Sequence, residues 1–195
     1  METYTQIATR NTGQTLGYTK SINSTTDEDI VTLAEVKSFM GITHSDDDTL
    51  IDTLLEMAID LAERYTGLMI YRRTLTLEYT QYASAVLLPW PPHVSIDAVR
   101  TKTLGEETTL TSDEYFITGQ DQKTLHLKNA VSYEGLEVDL TTGYGASDVP
   151  ASIKVALMKT TLSQYEDRNN VSGVTPYSMP NDAKTILNLY RRRSI

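Results

Sequence analysis

TLAEVKSFMGITHSDDDTLIDTLLEMAIDLAERYTGL (32–68) reads as a short helix, a tight break and a long amphipathic helix that stops at Gly67. Thr32 and Glu35 have the spacing of a capping box, and Gly41 can end the first helix in a left-handed conformation. Ser45 and Asp48 repeat that signature, with Asp46 and Asp47 at the positive end of the helix macrodipole. Ile51, Leu54, Leu55, Ala58, Leu61, Ala62 and Tyr65 then recur at three- and four-residue intervals, an apolar stripe that must pack on something. The next strong helix start is at Asp148 and Pro150, proline being tolerated in a first turn. Ile153, Leu157, Thr160, Thr161 and Gln164 share one face of that helix, only moderately apolar. The two long helices are expected to pack together, burying Leu54, Leu61, Ile153 and Leu157.

Between them the periodicity changes. RRTLTLEYTQY (72–82) alternates Leu75, Leu77 and Tyr79 against Thr74, Thr76, Glu78 and Thr80, the pattern of a half-buried strand. Pro91 and Pro92 force an extended bend before VSIDAVRTKT (94–103), and Leu104 to Glu107 suits a hairpin turn. LEVDLTTGYG (136–145) closes a series of five or six short strands, the signature of a small antiparallel sheet or barrel-like unit. Residues 1–27 are rich in Thr, Ser, Asn, Gln and Gly, with Ile7, Leu16 and Ile22 isolated. Such a stretch buries too little apolar area to order itself, so a flexible arm that folds on a partner or stays mobile is expected. After Asn169, Asn170 and Gly173 comes a loose connection, then a short helix from Pro180. The fold class expected is α+β: a helical bundle, made of an N-terminal helix pair plus C-terminal helices, with a small antiparallel β insert. Its segments are 1–27 as arm, 28–67 and 148–195 as helical core with a tail helix, and 68–147 as the β-rich insert.

Composition excludes several function classes. The chain has 195 residues, 39% of them hydrophobic, and a formal charge of -9. No apolar run reaches about 18 residues, so no membrane-spanning helix is expected. The amino terminus lacks a basic region followed by an apolar core and does not read as a secretory signal. The absence of cysteine removes disulfides, thiolate zinc sites and thiol nucleophiles together. His44, His93 and His126 have no metal-binding spacing, and Gly143-Tyr144-Gly145 lacks the further residues of a nucleotide loop. The Asp46-Asp47-Asp48 run lacks the alternating ligands of a calcium loop, and helix capping explains it better. Glu166 and Asp167 beside Arg168 read as a solvated or interfacial cluster. No cofactor, metal or catalytic residue is expected.

Two surfaces resist a bland reading. Asp48, Asp52, Glu56 and Asp60 stand at four-residue intervals, with Glu63 close behind, and no basic residue interrupts from Asp46 to Glu63. Like charges at that spacing cost a helix about 0.2–0.5 kcal/mol per pair. Either packing merely tolerates them, or they face a basic partner or a channel wall that repels phosphates. At the other end, Ala183, Ile186, Leu187 and Tyr190 share one side of the tail helix, and Arg191, Arg192 and Arg193 follow. A helix that short is marginal alone, so Ile186, Leu187 and Tyr190 are expected to dock in a groove, with the arginines pairing to acidic groups there.

The ordered series LAEVKSFMGITHSDDDTLIDTLLEMAIDLAERYTGL (33–68), LPWPPHVSIDAV (88–99), Tyr115, TTGYG (141–145), VPASIKVALMKTTLSQYEDR (149–168) and MPNDAKTILNLYRR (179–192) resembles the head–tail connector (adaptor, or head-completion) family of tailed bacteriophages. The likeness covers roughly 30–192 and rests on the order of the pieces. It implies a structural virion protein rather than an enzyme: a ring of identical subunits, twelvefold, docked on the portal protein at the head–tail junction. It further implies a channel through which DNA passes without sequence-specific binding, a downstream neck or tail completion protein as partner, and assembly in the host cytoplasm. The rivals are another neck or tail protein, such as a stopper or terminator, and an enzyme or ligand-binding domain built on the β-rich region. Either set of charged residues, the acidic ridge or the basic tail, would then serve the neighbouring subunit, the portal or the channel.

Overall fold

The first helix begins where Thr32 leaves an extended conformation. Its hydroxyl accepts the Glu35 backbone N–H, and the Glu35 carboxylate accepts the Thr32 backbone N–H at 2.7 Å in return. This reciprocal cap holds the Glu35 carboxyl below its ordinary value, chiefly through the Thr32 backbone N–H. A computed structural model of the chain describes residues 3–9, 15–25, 29–80, 83–120, 122–128, 133–166 and 179–191. Four helices and nine strands are described: β1 (Thr3–Thr9), β2 (Thr15–Thr25), α1 (Leu33–Met40), α2 (Asp48–Thr66), β3 (Arg73–Tyr79), β4 (Ala85–Leu87), β5 (His93–Thr103), β6 (Glu106–Thr109), β7 (Tyr115–Thr118), β8 (Thr124–Leu127), β9 (Gly135–Thr142), α3 (Ala151–Glu166) and α4 (Asn181–Leu187). They fall into two compact units, Met1–Thr26 with Tyr71–Gly143, and Asp27–Ile70 with Tyr144–Ile195.

In the helical unit, Gly41 and Gly67 take the left-handed conformation, with φ of 71° and 74°, and end α1 and α2. The buried face of α2 is Ile51, Leu55, Ala58, Ile59, Ala62 and Thr66; Leu54 and Leu61 flank it, half-buried. α2 packs on α3, and α4 packs on both. The core face of α3 includes Ile153 and Leu157, both 0% exposed, and also Thr160, Thr161 and Gln164. The hydroxyls of Thr160 and Thr161 donate to the carbonyls of Ala156 and Leu157, which removes the penalty of burying them.

The other unit is built on antiparallel pairing. Its main sheet runs β1-β2-β3-β9-β5-β6, and a second sheet runs β4-β8-β7. The alternation of β3 sets the inside: Leu75 faces Leu140, Leu77 faces Val138 and Tyr79 faces Leu136, all buried. Tyr18 of β2 lies opposite Tyr79, with ring centroids 5.6 Å apart, and edge-on to Trp90 at 5.6 Å. Gly143 has φ of 100°, and a Cβ there would lie 2.0 Å from the Tyr71 carbonyl oxygen, so only glycine fits.

The expected helical bundle with a small β insert is therefore corrected. The sheets are a unit in their own right, and two of the strands come from the polar segment read as an arm. Pairing with β3, which satisfies backbone groups residue by residue, places β2 without a run of apolar side chains.

Candidate assembly surfaces

The acidic series on α2 is split by local chemistry. Asp48 is half-buried and pairs with Lys37 of α1 at 2.5 Å. Asp60 pairs with Arg64 one turn on, at 3.0 Å, an exposed contact worth little. Glu63 turns its Oε1 to the Ile70 backbone N–H at 2.8 Å, capping the segment that follows the helix. Asp52 and Glu56 are exposed on the middle turns of α2. The second capping box does not form: Asp47 is the N-cap residue, with no side-chain cap. Its carboxylate instead accepts the Tyr165 hydroxyl at 2.5 Å, tying the start of α2 to the far end of α3.

The tail helix α4 is docked within its own unit. Leu187 and Ala183 are 0% exposed, and Ile186 is half-buried. Tyr190, half-buried, shares a 2.6 Å hydrogen bond with the Ser152 hydroxyl, and the Tyr65 hydroxyl donates to Asn188 Oδ1 at 2.7 Å. Arg191 is exposed and lays its guanidinium over the Tyr65 ring at 5.1 Å. Lys159 pairs with Asp182 and holds that carboxyl below its ordinary value. Leu189 is 80% exposed, an apolar side chain beside the basic end. Arg192 and Arg193 lie outside the described residues.

Sequence reasoning missed a third charged surface, on the outer face of the main sheet. Arg100 of β5 reaches Glu137 of β9 at 2.5 Å and also binds Asp139. Lys102 reaches Glu137 at 2.7 Å and Glu78 of β3 at 3.3 Å, relieving the like-charge opposition of Glu78 and Glu137 across the ladder. The Asp139 hydrogen bond raises the Arg100 guanidinium above its ordinary value, and Glu137 does the same for Lys102. The signal was the outward parity of Arg100 and Lys102, and of Glu137 and Asp139, within their strands. Among the described residues no cluster of three or more His, Asp or Glu side chains is placed to hold a metal ion, and no helix is long and apolar enough to cross a membrane.

A family model described as head completion protein matches residues 29–193, which takes in both units. The chain belongs to the head completion protein family. It is thus a structural head–tail connector protein of the phage type. Three solved chains share the fold of this family member, each at 19% identity over 90% of its length. One comes from the virion of a native gene transfer agent particle, with a TM-score of 0.73 and 96% of that chain covered. The others come from necks computed with C6 symmetry (empty particle, TM-score 0.70) and C12 symmetry (native particle, TM-score 0.68), each 97% covered. A search of curated proteins found no match for this head completion protein.

Proposed function

We propose that this protein is one subunit of a homo-oligomeric ring in the neck of a phage-like virion. The ring seats on the portal protein, leaves a channel for DNA and receives the next neck or tail protein, a structural rather than a catalytic role. The observation that carries this reading is the family match over residues 29–193. Its support is the fold shared, at 96–97% coverage of the other chains, with subunits of virion and neck structures, two of them computed with C6 or C12 symmetry.

Within that reading, the portal or a neighbouring subunit meets the end of the chain at Leu189 and Arg191, with Arg192 and Arg193 adding charge. Leu187 serves the bundle core, and Ile186 and Tyr190 border it. Asp52 and Glu56, exposed on the middle turns of α2, face a basic neighbour or the channel.

Native mass spectrometry of the purified protein, alone and mixed with portal, tests the assignment. A single closed stoichiometry that binds portal is the expected result. A chain that stays monomeric in both samples and leaves portal untouched refutes it. Because Leu187 is core, the tail is tested with Leu189→Asp and Arg191→Glu rather than by deletion. These variants should fold normally and bind portal at least tenfold more weakly.

A further inference from the structure

The main sheet has two ends, and they differ chemically. β1 closes it on one side and β6 on the other. β6 is the sequence EETT, with all four residues exposed. Its inner edge is used up by β5. The hairpin turn is two residues, Leu104 and Gly105, with φ of 53° and 83°, and the Leu110 backbone N–H donates to the Val99 carbonyl at 2.8 Å. Hydrogen-bonded pairs alternate along an antiparallel ladder, so 101 with 108 and 103 with 106 exchange bonds. Glu107 and Thr109 therefore turn their backbone N–H and C=O away from β5, toward solvent. β1, of sequence TYTQIAT, carries no charge and no proline, the devices that normally protect an edge strand.

We propose that β6 of one subunit pairs with β1 of the next, so that the main sheet continues across the subunit boundary. The proposal rests on the ring reading above and names the surface that builds the ring. A cyclic ring needs a heterologous contact, two different patches on each copy, and a sheet whose two unlike edges have no further strand beside them among the described residues supplies one. The alternatives are poorer. Antiparallel pairing of β6 with β6 makes a closed dimer and crowds four carboxylates, Glu106 and Glu107 of each copy, onto one short ladder. Pairing of β1 with β1 makes a closed dimer and stops. A neutral strand against an acidic one meets neither objection. Four residues of pairing fix register and direction; the bulk of the affinity comes from the side-chain contacts that flank them.

The chain has no cysteine, so introduced thiols are unambiguous. Thr109→Pro removes an outward N–H and leaves the inner ladder intact, as proline in an edge strand permits. It should keep the wild-type circular dichroism and melting temperature. Its ring population by native mass spectrometry should drop at least tenfold, at a concentration and portal ratio where the wild type is closed. A second measurement covers the case of misfolding: Gln6→Cys combined with Thr108→Cys, treated with a short bis-maleimide, should give a ladder of multimers up to the ring. Either single-cysteine protein should remain monomeric on a denaturing gel. Folded Thr109→Pro that forms rings like wild type, or a single-cysteine variant that traps dimers, overturns the edge pairing while leaving the ring in place. A wild type that never closes removes the ring reading first, and this proposal with it.

Discussion

On the outer face of the main sheet, Glu78, Glu107, Glu137 and Asp139 each have a cation in contact, and two basic side chains, Arg100 and Lys102, serve all four. Along α2 the carboxylates at the ends of the row find Lys37 and Arg64, while Asp52 and Glu56 stand on the exposed middle turns. The two regions solve the same problem differently. Neighbouring strands bring charges from distant sequence side by side, so each carboxylate can find a cation. A helix surface draws its neighbours from its own sequence three and four positions away, and here that sequence is acidic. The stretch from residue 27 to 67 holds eleven acidic and two basic residues, so it alone has the net charge of the whole chain, -9. A charge so localised attracts basic surfaces and repels polyanions, whereas the sheet carboxylates have cations beside them.

The contrast can be broken at three levels. The largest effect belongs to the apolar core beneath the charged helix: Ile153→Ala should cost about 2–5 kcal/mol in chemical denaturation, because the side chain is 0% exposed. If the loss is under about 1 kcal/mol, α3 is not the central element of its unit. Next comes the sheet network. Arg100→Met takes the cation from Asp139 and from Glu107 of β6, leaves Glu137 to Lys102 alone, and should cost about 1–3 kcal/mol, more than removal of any single exposed ion pair. An unchanged midpoint would mean the network is surface decoration. The smallest effect has the opposite sign. Asp52→Asn removes like-charge neighbours at Asp48 and Glu56 and should stabilise by about 0.2–0.5 kcal/mol per pair at low salt. Added salt should abolish the gain.

The helix ends were legible because their causes are local. Thr32 with Glu35, Gly41 and Gly67 each act within a few residues, and each does in the structure what its spacing promised. Where a distant group competes, local reading fails. Asp47 looked like part of a cap, but Tyr165 lies 118 positions away in sequence and takes its carboxylate. The polar half of the α3 face looked weak for a core, but Thr160 and Thr161 satisfy themselves on the preceding turn and pack as small apolar groups. β2 was illegible for the deepest reason: its placement depends on β3, and the alternation of β3 does not say which strand lies beside it. The same holds for the sheet network, whose members were visible singly and whose pairing was not. The apolar side of the tail helix was visible in the sequence, but not where it packs: Leu187 is buried within its own unit.

Trp90 is the chain's single tryptophan, and it sits in the sheet unit with the Tyr18 ring on one side and the Lys20 ammonium 4.4 Å from its own. Intrinsic fluorescence excited at the indole band is therefore a private channel for one half of the molecule. It follows the moment β2 leaves the β4–β5 connection, while the helices melt in the dark and register only in far-ultraviolet dichroism. Two optical signals recorded in one thermal ramp thus separate the fates of the two units without a label, a truncation or a partner.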